Sequence, residues 1–181
     1  MRTVAVIGAG QMGTGIAQTV AQHGMQVLLA DVDRARAEAG RASIDKALGK
    51  LVGRGKLEIA EAEAALGRIS AVGDYAPMAD AELIIEAATE REEIKKAIFE
   101  AAGKVLASDA IMASNTSSIP ITRMANFAPD AARFIGEYTA KGVFKTDPFI
   151  SLDIEGVGEL VRIGTERGRQ AKPGLKAGIC G

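Results

Sequence analysis

One cysteine, Cys180, and one histidine, His23, are all that this 181-residue chain has of either type. A lone thiol excludes an internal disulfide and any cysteine-clustered metal site, and a lone imidazole excludes a histidine cluster, so no metal ligand set is expected. An excess of charge is missing as well: 22 basic residues stand against 23 acidic ones, for a formal net charge of −1. With no long run of either sign, the electrostatic footprint of a nucleic-acid binder or a membrane-surface anchor is absent. Long apolar runs are also lacking. A membrane span needs about 20 apolar residues, whereas the N-terminal "MRTVAVIGAG" breaks into glycines and is too short for a signal h-region. The expectation is a compact, soluble chain in a reducing cytoplasm, large enough to bury about two thirds of its unfolded surface.

What is present alternates. "TVAVIG" is an apolar, β-branched run of the kind found in strands buried on both faces of a parallel sheet. "QMGTGIAQTVAQHG" then sets Met12, Ile16 and Val20 at helical spacing and stops at Gly24. "MQVLLAD" is a second strand ending in an acid. From Asp33 to about Gly67 the Ala, Leu, Glu, Lys and Arg content predicts a helical hairpin with breaks near Gly53 and Gly55. "ISAV", "AELIIEAA" and "AIMASNTSS" are further strands, with the helix "EREEIKKAIFEAAGKVL" between the last two. Strand, helix and strand in this order predict an α/β fold: a Rossmann-like, doubly wound parallel sheet with right-handed crossovers.

The first strand runs straight into "VIGAGQMGTG", which supplies Gly8, Gly10 and Gly13 as G-x-G-x-x-G between a strand and a helix. In that context Gly8 permits the tight turn, Gly10 lets backbone approach a pyrophosphate, and Gly13 lets the helix pack closely. Ala9, Gln11 and Met12 lie in the same turn, and the free N–H groups of the helix start face the anion. Asp31, closing the second strand, can accept the adenosine ribose hydroxyls and repel a 2′-phosphate, which favours NAD over NADP. The competing reading is a glycine turn with a helix-capping acid.

Beyond these, "ELIIEAATEREEIKKAIF" and "ASNTSSIPITRMA" make the chain resemble the NAD-binding domain of 3-hydroxyacyl-CoA dehydrogenases, especially the bacterial 3-hydroxybutyryl-CoA type, from Met1 to about Gly136. The resemblance implies hydride transfer between NAD and the 3-position of an acyl-CoA. It also implies that Glu90, Lys95 and Asn115 line the cofactor, and that Ser117 touches both the nicotinamide region and the substrate oxygen. Ser117 alternatively caps the turn that follows it, and Glu90 and Lys95 alternatively form a surface pair on a helix. Lys50, Arg54 and Lys56 stand where the family holds coenzyme A phosphates, which makes Arg54 a substrate-binding candidate. A solvated cationic helix end is the simpler account of those three. His23 is expected at the surface and not in catalysis.

After "RFIG" the resemblance implies a catalytic histidine and then a helical domain that completes the substrate cleft and the dimer. Tyr138 stands at the histidine's place, and no histidine follows His23. Residues 137–181 instead resemble a C-terminal barrel fragment of pyruvate phosphate dikinase, through "DPF", "EGVGELV", "ERGR" and "LKAGICG". Cys180 matches the dikinase acid; as a bare residue it is a small apolar strand side chain. The expected organisation is thus an NAD-binding domain over 1–136 and an appended helix–strand unit of (β/α)-barrel origin over 137–181, joined at Gly136 and packed on the same sheet. In that unit "DIEGVGELVRIGTERGRQ" is expected to be helical and "LKAGICG" a strand. Three functions stay open: an NAD-binding module without turnover, a chimeric α/β scaffold, and an active dehydrogenase using Tyr138, whose phenol would have to ionise well below its ordinary pKa of about 10.

Overall fold

The computed structural model describes residues 2–116, 119–138, 150–152 and 160–163. Its main element is a six-stranded, all-parallel sheet in the order β3-β2-β1-β4-β5-β6. The strands are β1 (Thr3–Ile7), β2 (Gln26–Ala30), β3 (Ile69–Val72), β4 (Leu83–Glu86), β5 (Ile111–Thr116) and β6 (Phe134–Tyr138). The helices that connect them are α1 (Gln11–Gln22), α2 (Arg34–Gly53), α3 (Ile59–Gly67), α4 (Glu92–Ala102) and the short α5 (Ile121–Ala125). The chain winds outward in one direction from β1 to β3 and in the other from β4 to β6, so the crevice between β1 and β4 is the topological switch point where such sheets bind ligands.

Period-two alternation along the strands builds two cores. Val4 and Val6 of β1 point to one face, where they pack with Ile16 and Val20 of α1, Ile44 and Leu48 of α2 and Leu29 of β2. Ala5 and Ile7 point to the other, toward Ile84, Phe99 and Met112. Phe99 of α4 meets Phe134 of β6 edge to face, with ring centroids 4.9 Å apart. Because both faces are covered, the central strands read as continuous apolar runs.

The helical hairpin forms where expected, and its ends are chemically marked. The Asp33 side chain accepts from the Arg36 N–H at 2.8 Å to cap α2. The chain then turns at Gly55, with φ +64, and the Glu58 N–H donates to the Glu61 carboxylate at the start of α3.

Strand β6 runs past Gly136, parallel to β5, with Asn115 opposite Glu137 and Thr116 opposite Tyr138. One expectation about the C-terminal part needs correction. The segment expected to be helical contains a strand instead, β8 (Leu160–Ile163), which pairs antiparallel with β7 (Ile150–Leu152) in a separate two-stranded sheet. Val161 and Ile163 are β-branched and favour strand. In the described residues this segment therefore adds no strand to the parallel sheet. Cys180 and the "LKAGICG" stretch lie outside the described residues. Among the described residues no helix is long and apolar enough to cross a membrane.

Candidate functional site

The C-terminal edge of the parallel sheet gathers most of the predicted residues. The turn after β1 carries Gly8, Ala9 and Gly10 into α1. Gly8 has φ +111, and a Cβ there would lie 2.6 Å from the backbone of Ala87, just past β4. A side chain is thus excluded twice, by conformation and by the neighbouring strand. At Gly13 an added Cβ would come within 1.7 Å of the Gly8 carbonyl oxygen, so the close approach needed here is that of the turn onto itself. Around Gly10, apart from its chain neighbours, no atom of the described residues lies within 4 Å of the corresponding position. This glycine answers to no demand of the fold, and the space before it is open.

Gly10 is also the N-cap of α1, and no side chain caps that helix start. Gln11 and Met12 are exposed there, Met12 at 38%. Uncapped N–H groups at the head of a 12-residue helix form a ready cradle for an anion. Asp31, just past β2, accepts from the Ala9 N–H through Oδ2 at 2.6 Å. The acid is therefore built into the glycine turn.

A second cluster lies beneath the neighbouring strand ends. Lys95 of α4 and Glu86 of β4 are both fully buried and form an ion pair, with Nζ 2.5 Å from Oε2. The Ser114 hydroxyl of β5 donates to the same oxygen at 2.7 Å, Lys95 also donates to Ser114 Oγ at 3.3 Å, and the Ala88 N–H donates to Glu86 Oε1 at 2.9 Å. The Asn115 carbonyl oxygen accepts weakly from Lys95, at 3.5 Å. Lys95 is accordingly no part of a surface pair with Glu90. Glu90 is exposed and its carboxylate accepts from Thr116 Oγ1 at 2.7 Å. Spacing on the helix suggested the wrong partner because the right one comes from a strand. Tyr75, half-buried in the loop after β3, has its pKa pushed above the ordinary value, foremost by burial and then by the charges of Glu86 and Asp31. Its phenol stays protonated at neutral pH.

The other predicted residues fall elsewhere. Arg54 is exposed at the C-cap of α2, about 30 Å along that helix from its start beside Asp31, with Lys50 and Lys56 exposed nearby. His23 is exposed at the C-cap of α1, with Nδ1 2.8 Å from the Thr19 carbonyl oxygen, at the end of the helix remote from the glycine turn. Ser117 lies outside the described residues. Four residues went unnoticed in the sequence: Glu86, Ser114, Arg36 and Gly40. An added Cβ at Gly40 of α2 would lie 2.7 Å from Ala9 Cβ and 3.2 Å from Ala9 O, so this glycine lets the helix press against the turn. Gly40→Ala is expected to cost about 1–3 kcal/mol by overpacking, read as a lowered midpoint in thermal unfolding.

The match to known proteins follows this geometry. The model of the 3-hydroxyacyl-CoA dehydrogenase NAD binding domain matches residues 3–139. The chain belongs to the 3-hydroxyacyl-CoA dehydrogenase family. It is 46% identical over 131 residues to a probable 3-hydroxybutyryl-CoA dehydrogenase of Deinococcus radiodurans, covering 72% of this chain and 47% of that protein. It is 45% identical over 137 residues to a 3-hydroxybutyryl-CoA dehydrogenase of Bradyrhizobium diazoefficiens, covering 75% and 46%. Among solved structures, (S)-3-hydroxybutyryl-CoA dehydrogenase from Ralstonia eutropha superposes with a TM-score of 0.74 at 38% identity, over 76% of this chain and 49% of that one. The chain thus spans about half the length of these dehydrogenases. The family match runs past Gly136, and the dikinase resemblance of 137–181 gains no support from these matches.

NAD is the cofactor of this domain in the family, and the residues present fit it. The open space at Gly10, the uncapped start of α1 and the acid at the end of β2 supply room, donors and acceptor in the order pyrophosphate and ribose require. When bound, NAD accepts or returns a hydride.

Proposed function

We propose that this chain is the cofactor half of a 3-hydroxyacyl-CoA dehydrogenase. Gly8, Ala9, Gly10, Gln11, Met12 and Gly13 hold the pyrophosphate, and Asp31 takes the adenosine ribose. Glu90, Asn115 and Ser117 border the nicotinamide side, and Lys95 acts there from within its buried pair. The observation that carries the reading is the bond from the Ala9 N–H to Asp31, which locks ribose acceptor and phosphate turn into one unit.

Within the 181 residues, binding without turnover is the expected behaviour. Taking a hydroxyl proton while hydride leaves calls for a base with a pKa near working pH, usually an imidazole. The only imidazole, His23, sits at the far end of α1, roughly 18 Å along the helix from the glycine turn. Arg54 would meet the acyl-CoA only at a distance from the reacting carbon, through its phosphates.

Fluorescence titration of NADH with the chain, followed by addition of acetoacetyl-CoA while NADH absorbance is monitored, tests both parts. Saturable binding with stable absorbance is expected. Loss of absorbance that disappears in Tyr138→Phe would assign catalysis to Tyr138 and refute the binding-only reading. Failure to bind NADH would refute the cofactor role.

A further inference from the structure

Asp31 is crowded for a group that has to receive ribose hydroxyls. Besides the Ala9 bond to Oδ2 at 2.6 Å, Oδ1 accepts from the Val32 N–H at 2.8 Å and from Arg36 Nε at 3.2 Å. An ionised carboxylate has about four lone-pair sites, so the three bonds leave about one. Two of them come from backbone and hold the turn. The third comes from a side chain that is 69% exposed, in the first turn of α2, and can be exchanged for another partner.

The other charged groups of that turn are already engaged. Arg34 pairs with Glu38 at 2.9 Å, and the Asp33 carboxylate caps the helix through the Arg36 N–H at 2.8 Å. Arg36 is therefore the cation held directly against the ribose-binding acid. Next to it the Val32 side chain, 84% exposed, offers an apolar lip of the kind an adenine ring covers.

We propose that Arg36 is a specificity-determining residue of the cofactor site: Asp31 rejects a 2′-phosphate, and Arg36, held beside it, is a latent acceptor for that phosphate. The proposal rests on the NAD-binding reading above. A carboxylate at this place selects the free 2′-hydroxyl, whereas an arginine nearby accommodates the 2′-phosphate of NADP. Here the two groups touch, so the guanidinium offsets part of the repulsion and brings a planar fork of donors, the kind that suits a phosphate, beside the ribose-binding acid. Rejection of the 2′-phosphate then rests on the Asp31 carboxylate, and Arg36 sets how strong that rejection is.

Calorimetric titration of NADH and NADPH into the full chain tests this in four proteins: wild type, Arg36→Ala, Asp31→Ser and the double variant. In Arg36→Ala the ratio of NADPH to NADH affinity is expected to fall about tenfold, the worth of one charge-assisted hydrogen bond; freeing a lone pair of Oδ1 for the ribose moves the ratio the same way. Asp31→Ser should raise the ratio about a hundredfold by removing the like charge, and adding Arg36→Ala should take back about tenfold. Arg36→Ala alone alters an exposed side chain, so this arm does not depend on how well Asp31→Ser folds. A ratio that Arg36→Ala leaves within about twofold in the folded backgrounds, well short of one such bond, overturns the proposal. A wild type that binds neither nucleotide overturns the NAD-binding reading itself, and the proposal with it.

Discussion

Lys95→Met is expected to destabilise the domain by about 3–5 kcal/mol, the usual cost of leaving one member of a buried ion pair without its partner. Methionine matches the length of the stem, so little packing is lost and the effect isolates the charge. Glu86 would be left with the Ser114 hydroxyl and the Ala88 N–H, two neutral donors to a carboxylate shut off from water. Urea unfolding followed by circular dichroism measures the loss. The double variant Lys95→Met with Glu86→Leu should regain part of it, because an apolar pair needs no compensation. It should not regain all, since Ser114 and Ala88 then lose their acceptor, at about 1 kcal/mol each. If the single variant is as stable as the parent, the pair does not exist in solution. Since Lys95 ties α4 to β4 and β5 just beneath Asn115, the folded double variant should also bind NADH more weakly than its stability alone would suggest.

That pair shows where reading the sequence stops. The strand, glycine turn, helix and second strand of residues 3–31 were legible because each signal is local: β-branched runs, glycines at fixed offsets, and an acid at a strand end. The partner of Lys95 was not, since Glu86 lies nine positions away on a different element. A physical signal was nevertheless present. Lys95 falls on the same stripe of α4 as Ile98, Phe99 and Ala102, which are buried, and an ammonium on an apolar stripe requires an acid opposite. Glu86 ends an otherwise apolar strand and required a cation by the same logic. Arg36 and Gly40 were hidden for a different reason: their roles depend on how closely α2 passes the glycine turn, a tertiary distance. At the other end, helical spacing of Val157, Leu160, Val161 and Gly164 suggested a helix although the β-branched residues around Leu160–Ile163 favour the strand that forms.

The glycine turn offers the sharpest separation of fold from binding, through two alanine substitutions three residues apart. Gly13→Ala is expected to abolish measurable NADH binding and to cost at least about 1–3 kcal/mol of stability. Its Cβ would lie 1.7 Å from the Gly8 carbonyl oxygen, and Gly8 cannot yield toward β4 because the backbone of Ala87 and Ala88 already stands 2.6 Å from its own Cβ position. The turn or the start of α1 must therefore move, and with it the N–H groups that receive the anion. Gly10→Ala should behave in the opposite way. Its backbone, with φ −75 and ψ −171, suits any residue, and apart from its chain neighbours nothing among the described residues lies within 4 Å of the new methyl group. Thermal unfolding should shift by no more than about 0.5 kcal/mol equivalent, while the methyl group enters the space through which a pyrophosphate reaches the helix start. Stability kept and NADH affinity lost in Gly10→Ala, against both lost in Gly13→Ala, is the outcome that a phosphate seated on this turn requires. Normal NADH binding by Gly10→Ala would put the pyrophosphate somewhere other than the head of α1.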